Sequence, residues 1–152
     1  MPPIIRPATI SDLSTLADMC FDLWPDGPRA EHESEQRDLL EGKPVSTLPL
    51  TVFVAELDGA VVGFIQVGLR SHADGCDMTH AVGFIEGWYV SPDHRHTGIG
   101  TQLMQAAENW SRSQGCKEIA SDTWADNKAS QDAHVALGFE LGETVVNFKK
   151  NL

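Results

Sequence analysis

The segment from Tyr89 to Met104, YVSPDHRHTGIGTQLM, contains residue types whose spacing points to anion binding. An apolar strand runs into a loop rich in histidine and arginine, and Gly98 and Gly100 then bracket one isoleucine where a helix should begin. The first turn of a helix carries free amide donors and a partial positive charge, and glycines let backbone approach a ligand closely. Phosphate is a natural guest of such a turn, so the segment is a candidate phosphate-binding loop.

Two common phosphate motifs and a metal site do not fit this loop. A Walker loop needs a lysine followed by serine or threonine after its last glycine, and a dinucleotide fingerprint needs a third glycine where this chain has Leu103. The pair His94 and His96 lacks a cysteine or carboxylate at the spacing that would complete a metal-ligand triad, so no metal is expected.

The charge of the chain limits its partners. The 152 residues carry a formal net charge of −11, which repels a nucleic-acid backbone and attracts a polycationic partner. No apolar run approaches the roughly 20 residues that span a bilayer, and the first residues lack the regions of a signal peptide. We therefore expect one domain, residues 1–152, in the cytoplasm, without a nucleic-acid or membrane partner.

The cysteines indicate neither disulfides nor zinc. Cys20, Cys76 and Cys116 are odd in number, far apart and without a C-x-x-C pair, so we expect buried thiols.

The elements that must position the loop follow from periodicity and turn residues. A short strand and an amphipathic helix are followed by a polar surface helix over residues 29–42, and Asp58-Gly59 predicts a tight hairpin turn. Gly87, inside the next strand, predicts a bulge or a close approach of backbone to a ligand. A helix from Gly98 to Gly115, the strand CKEIASDTW, a further helix and the strand FELGETVVNFKK complete the chain. This order predicts a mixed α/β fold, with a mixed sheet covered by helices on both faces.

The loop RHTGIG resembles the R/Q-x-x-G-x-G/A signature of the GCN5-related N-acetyltransferase superfamily. The surrounding landmarks are similar in order and spacing: EGWYVSPDHRHTGIGTQLM, then Asp126-Asn127, then Leu137 to Phe139. The resemblance implies the superfamily's fold, with a mostly antiparallel sheet, and acetyl-coenzyme A as co-substrate.

The segments GFIEGWYV, ASD and LGFELGETVVNF, with a tryptophan at the end of the first helix, resemble the aminoglycoside 6'-N-acetyltransferases. Residues that line the aminoglycoside pocket in that subgroup match Trp24, Glu86, Asp122 and Glu143 here. A pocket tyrosine of the subgroup falls at Ala73, a departure that bears on the drug spectrum more than on the reaction. Relatives of this kind are often dimers, so a homodimer is expected.

The resemblance also implies a cofactor-binding set. Trp88, Tyr89 and Val90 would lie along the acetyl-pantetheine arm, where a strand amide can polarise the thioester carbonyl, and Asn127 would reach the cofactor. The pyrophosphate would be held by the loop residues Arg95, His96, Thr97, Gly98, Ile99, Gly100 and Thr101.

Acetyl transfer to an amine needs an unprotonated nucleophile, a polarised thioester and a proton for the leaving thiolate. Asp122 and Glu86 stand where the family gathers the amine, and either could hold the ammonium and receive its proton directly or through water. His134 stands where many members have a tyrosine general acid. A protonated imidazole could serve, but a histidine that only packs or bonds to backbone is an equal alternative.

The resemblance thus implies an acetyl-coenzyme A-dependent aminoglycoside 6'-N-acetyltransferase that gives antibiotic resistance. Two alternatives stay open: the same machinery acting on a polyamine, peptide or protein amine, and a coenzyme A-binding module without catalysis.

Overall fold

A computed structural model describes all 152 residues of the chain. It has five strands and four α-helices, which follow one another as β1 (Ile4–Pro7), α1 (Leu13–Leu23), α2 (Arg29–Leu40), β2 (Leu50–Leu57), β3 (Ala60–Arg70), β4 (Val82–Val90), α3 (Ile99–Ser113), β5 (Ile119–Ser121) and α4 (Lys128–Ala136). The chain forms two compact units, Met1–Ser121 and Asp122–Leu152. That residues 1–152 act as a single domain stays a prediction. None of the helices is long and apolar enough to cross a membrane.

The strands form one sheet in the order β1-β2-β3-β4-β5. The first three pairs are antiparallel and the last, β4 with β5, is parallel. The predicted hairpin between β2 and β3 is confirmed, since Asp58 and Gly59 have φ angles of 50° and 82°. Positive φ at both central residues is what a two-residue primed turn requires.

Helices cover both faces of the sheet, as predicted. Side chains alternate between the faces along a strand, so Gly63 and Phe64 of β3 mark opposite sides. Phe64 belongs to a buried cluster that includes Leu16 and Cys20 of α1. On the other face, a Cβ built on Gly63 would lie 3.3 Å from the side chain of Leu103 of α3. The predicted arrangement, a mixed sheet with helices on both faces, is therefore confirmed.

The first strand is tied to the start of α1 by a partly buried ion pair. The guanidinium of Arg6 donates to both carboxylate oxygens of Asp12, at 2.8 and 2.9 Å, and to Glu56 of β2 at 2.9 Å. Asp12 is buried, and the hydrogen bonds from Arg6 hold the pKa of its carboxyl below its usual range. This pair anchors the helix whose other end leads into Trp24.

The three cysteines are free. Cys20 and Cys116 are buried, as predicted, whereas Cys76 is half-buried. Burial raises the pKa of the Cys20 thiol to about 12, so this thiol stays neutral near pH 7.

The predicted last strand, FELGETVVNFKK, is wrong. Residues 139–152 form no regular secondary structure, and the apolar side chains of Leu141, Val146 and Phe148 are exposed. Alternating apolar residues favour an extended chain, but a strand also needs a neighbour for its backbone hydrogen bonds, and no strand of this chain pairs with the segment. The predicted strand CKEIASDTW is also shorter than expected, because only Ile119–Ser121 pairs with β4.

Candidate functional site

An extra residue interrupts β4 at Glu86. Across the antiparallel pair, Gln66 lies opposite Gly87 and Val67 lies opposite Ile85, so Glu86 has no partner on β3. This is a β-bulge, which bends a strand and re-aims its side chains. The bulge predicted from Gly87 is confirmed, and one of the predicted substrate-binding carboxylates is the bulged residue itself.

Trp24 packs directly on the backbone of Gly87. A Cβ at Gly87 would lie 2.6 and 2.9 Å from two atoms of the Trp24 ring, distances that real Cβ atoms do not show. Trp24 also meets Phe64 edge-on, with ring centroids 6.3 Å apart. Glycine is therefore required at position 87 so that the indole of the predicted pocket residue can lie against the bulge.

Two α2 residues that the sequence analysis missed support this region. His32 Nε2 lies 2.9 Å from the backbone oxygen of Trp24, and its ring is tilted against the indole at 6.0 Å. Gln36, one turn further on, is only 5% exposed and donates to the side-chain oxygen of Gln66 at 2.9 Å. The i, i+4 spacing of His32 and Gln36 places both side chains on one face of α2 and could have indicated a buried face. The polarity of α2 instead predicted a helix exposed on all sides.

Glu86 is held by an arginine that the sequence analysis also missed. Arg70 donates from Nε and from a terminal nitrogen to the two carboxylate oxygens of Glu86, each at 3.0 Å. The guanidinium carbon lies 3.5 Å from the centroid of the Phe84 ring, in a cation–π contact. Glu86 is thus one half of a bidentate ion pair.

Beyond the bulge, β4 pairs with a strand on one side only. The parallel pairing with β5 ends at Ile85 and Ser121, whereas pairing with β3 continues to Val90. Trp88, Tyr89 and Val90, the residues predicted to follow the acetyl-pantetheine arm, lie in this one-sided stretch. A strand edge is a row of backbone donors and acceptors that an extended ligand can use.

The side chains of Trp88 and Tyr89 serve the structure around that edge. Trp88 Nε1 donates to the backbone oxygen of Gly100 at 3.1 Å, which links the strand to the start of α3. The Tyr89 hydroxyl donates to Asp22 at 2.9 Å. Burial, followed by the contact with Asp22, raises the pKa of Tyr89, so the only tyrosine stays protonated and structural.

The predicted phosphate loop turns in the left-handed region of backbone space. His96 has φ of 62° and Gly98 has φ of 90°. Gly98 is the N-cap of α3, and no side chain caps that helix. A Cβ at Gly98 would meet nothing within 4 Å, so the backbone there is open to an approaching group. An uncapped helix start leaves amide donors available for an anion, so these residues fit a diphosphate.

Arg95 and Thr97 hold the shape of the loop. Arg95 Nε donates to the backbone oxygen of Val90 at 2.7 Å, and its guanidinium lies 5.5 Å from the Tyr89 ring centroid. The Thr97 hydroxyl donates to the backbone oxygen of His94. The structure contains no group of three or more histidine, cysteine, aspartate or glutamate side chains that could hold a metal ion.

The second unit contains the remaining predicted residues. Asp122 follows β5 directly, and Glu143 lies in the exposed C-terminal segment. Asn127 is the N-cap of α4, where its side-chain oxygen accepts from Ser130 N at 3.1 Å. That cap uses the amide oxygen, so the amide nitrogen is the group of Asn127 suited to a ligand.

His134 is oriented by the backbone of its own helix. Its Nδ1 lies 2.7 Å from the backbone oxygen of Ser130, and its ring meets Phe139 edge-on with centroids 5.2 Å apart. A carbonyl oxygen only accepts, so Nδ1 carries a hydrogen, and Nε2 carries one only when the ring is protonated. His134 can therefore donate a proton from Nε2 only in its charged form.

A model of the Acetyltransferase (GNAT) family matches residues 14–139, a range that contains the bulge, the one-sided strand edge and the glycine loop. The chain belongs to this family.

Relatives that align with almost the whole chain of this acetyltransferase are named as aminoglycoside acetyltransferases. It is 41% identical to an aminoglycoside N(6')-acetyltransferase type 1 from Klebsiella aerogenes over 150 residues, covering 99% of this chain and 97% of that protein. A protein of the same name from Stenotrophomonas maltophilia is 37% identical over 151 residues, with coverages of 99% and 94%.

Two solved aminoglycoside acetyltransferase structures also superpose on almost the whole chain. AAC(6')-Iy in complex with the bisubstrate analogue CoA-S-monomethyl-acetylneamine superposes with a TM-score of 0.89 at 33% identity, over 100% of both chains. The 6'-N-acetyltransferase AAC(6')-Ih from Acinetobacter baumannii gives a TM-score of 0.86 at 34% identity, over 99% of both chains.

The phosphate loop generates the first prediction. Gly98→Asp introduces a side chain and a negative charge at the open helix start, and we expect it to weaken acetyl-coenzyme A binding by at least about tenfold, measured by calorimetry. Gly115→Asp is the matched control, because Gly115 has φ of 88° and equally open space at the other end of α3. Unchanged affinity in a folded Gly98→Asp protein, or an equal loss in the control, contradicts the loop assignment.

Proposed function

We propose that this acetyltransferase moves the acetyl group of acetyl-coenzyme A to the 6'-amine of an aminoglycoside antibiotic and so gives resistance. The observation that carries the proposal is the full-length similarity to AAC(6')-Iy, whose structure contains a bisubstrate analogue of coenzyme A and acetylneamine. The names of the Klebsiella and Stenotrophomonas relatives support the same reaction. The bulge and the glycine loop of this chain are the features on which the residue roles below rest.

The donor side of the proposed reaction uses the one-sided edge of β4 and the start of α3. The amides of Trp88 to Val90 bind the acetyl-pantetheine arm, and one of them polarises the thioester carbonyl. The loop from Arg95 to Thr101 holds the diphosphate, and the side-chain nitrogen of Asn127 is the group that reaches the cofactor. The loop assignment is supported by the left-handed turn at Gly98 and the uncapped helix start, and the arm assignment by the one-sided pairing of β4.

On the acceptor side, carboxylates and an indole bind the polycation. Trp24, Glu86, Asp122 and Glu143 are the proposed substrate-binding residues, and the net charge of −11 adds long-range attraction. Acetyl transfer forms a bond from the amine nitrogen to the acetyl carbon and breaks the carbon–sulfur bond. Asp122 or Glu86 receives the proton that leaves the amine, and the thiolate takes a proton from charged His134 or from water.

We further propose that the enzyme is a homodimer that works in the cytoplasm, where acetyl-coenzyme A is available. The exposed apolar side chains of Leu141, Val146 and Phe148 support the dimer, because a second copy could cover them. A single-chain mass by light scattering, at the concentration of the kinetic assays, would argue against it.

The regiochemistry tests the function. The enzyme should release coenzyme A rapidly when the acceptor is an aminoglycoside with a 6'-amine. It should not do so with matched compounds that have a 6'-hydroxyl, because an alcohol is a far poorer nucleophile at neutral pH. The measurement is coenzyme A release across both series, with polyamines and peptides as further acceptors. Equal turnover of the two series would place acetylation elsewhere on the drug, and turnover of only polyamines or peptides would contradict the aminoglycoside assignment.

The role of Asp122 has its own test. Asp122→Asn keeps the shape and removes the charge, and a charged hydrogen bond is typically worth about 1.5–3 kcal/mol. We expect kcat/KM for a tetracationic aminoglycoside to fall by at least about tenfold while acetyl-coenzyme A affinity stays within about twofold.

Asp132→Asn is the matched control, because Asp132 is an exposed residue of α4 paired only with Lys128. Wild-type kinetics in Asp122→Asn, or the same loss in Asp132→Asn, would make Asp122 an ordinary surface acid.

A further inference from the structure

The carboxylate at the bulge is already neutralised by a cation of the chain itself. Arg70 ends β3 opposite Val82, and Glu86 lies further along β4 on the same face, with Phe84 between them. The guanidinium donates to both oxygens of Glu86 at 3.0 Å and stacks on Phe84. The pair is partly open to solvent, with 44% of the Arg70 side chain and 30% of the Glu86 side chain exposed.

Two properties of this pair are at odds with a simple role for Glu86 as an attractive charge. Together, Glu86 and Arg70 carry no net charge, so an approaching ammonium gains little from long-range attraction to Glu86. A carboxylate has about four lone-pair sites, and Arg70 uses one on each oxygen. Each Glu86 oxygen therefore keeps a lone pair that can accept a hydrogen bond in a fixed direction, while the positive charge of Arg70 stays next to the carboxylate.

We propose that Arg70 is a positioning residue that lowers the affinity of the site for its amine substrate and raises turnover. The two hydrogen bonds from Arg70 hold the Glu86 carboxylate in one orientation. The positive charge of the guanidinium repels the substrate ammonium that Glu86 contacts on its other side. Binding that is equal in the ground state and the transition state does not raise kcat, so weakening it leaves kcat unchanged, whereas a fixed acceptor does add to kcat. This proposal rests on the proposed function, in which Glu86 contacts the substrate.

The charge and the geometry of Arg70 can be separated by two variants. Arg70→Met keeps an apolar side chain over Phe84 but removes both the positive charge and the bidentate hydrogen bonds to Glu86. Arg70→Lys keeps the positive charge and removes the bidentate geometry. Two unit charges about 6 Å apart in a water-like dielectric change affinity by about threefold. We therefore expect Arg70→Met to lower the dissociation constant for neamine by at least about threefold and to lower kcat by a similar factor. Arg70→Lys should keep the wild-type dissociation constant and lower kcat.

The measurements are calorimetric binding of neamine in the presence of coenzyme A, and steady-state kcat with neamine and acetyl-coenzyme A. Arg112→Met is the control for a lost positive charge, because Arg112 is an exposed residue near the end of α3 that pairs with Glu108. The affinity gain of Arg70→Met should disappear at high salt, since it is electrostatic.

Weaker or unchanged neamine binding by folded Arg70→Met would overturn the proposal, as would the same affinity gain in Arg112→Met. If Arg70→Met does not fold, Arg70→Lys decides: reduced kcat at the wild-type dissociation constant supports the proposal, and wild-type kcat overturns it. Failure of the proposed function gives a different result, because the wild-type protein itself would then neither bind nor acetylate neamine.

Discussion

One extra residue in β4 is the constraint on which the rest of the candidate site depends. Because Glu86 has no partner on β3, the strand bends between Ile85 and Gly87, and the pairing with β5 ends at the residue before the bulge. The same irregularity places a glycine beneath the Trp24 ring, next to the carboxylate that pairs with Arg70. A regular strand would pair Glu86 with Gln66 and would turn Gly87 to the opposite face, away from the Trp24 ring.

The two proposed functional regions of the first unit depend on glycine for different reasons. Gly87 is needed because the Trp24 ring occupies the space of a side chain. Gly98 has open space but turns through the left-handed region, where side chains are strained, and it begins a helix that no side chain caps. Trp88 connects the two regions, since its strand carries the bulge and its indole donates to Gly100. A close-packed contact thus shapes the proposed acceptor side, and a helix start without a side-chain cap shapes the proposed donor side.

Local signals in the sequence predicted much of this arrangement. Asp58-Gly59 predicted the hairpin, and Gly98 and Gly115 predicted the bounds of α3, because these residues adopt a left-handed backbone conformation that few residues tolerate. Gly87 predicted the bulge, because a glycine inside a strand indicates an irregularity or a close contact with its backbone. Interactions between distant segments were not predictable in the same way. The pairing of Arg70 with Glu86 depends on the register of two strands, and the burial of Gln36 depends on which side of a polar helix faces the sheet. The C-terminal segment shows the opposite failure, since its pattern favours a strand but no neighbour in the chain pairs with it.

The most direct test of the account is the kinetics of Gly87→Ala with an aminoglycoside that has a 6'-amine. One methyl group at this position would collide with the Trp24 ring, so the indole or the bulge must move. A displacement of about 1 Å at a substrate-positioning group can cost on the order of a hundredfold in rate. We expect kcat/KM to fall by at least about tenfold in a protein that still melts cooperatively and still binds acetyl-coenzyme A. Wild-type kcat/KM in folded Gly87→Ala would contradict it.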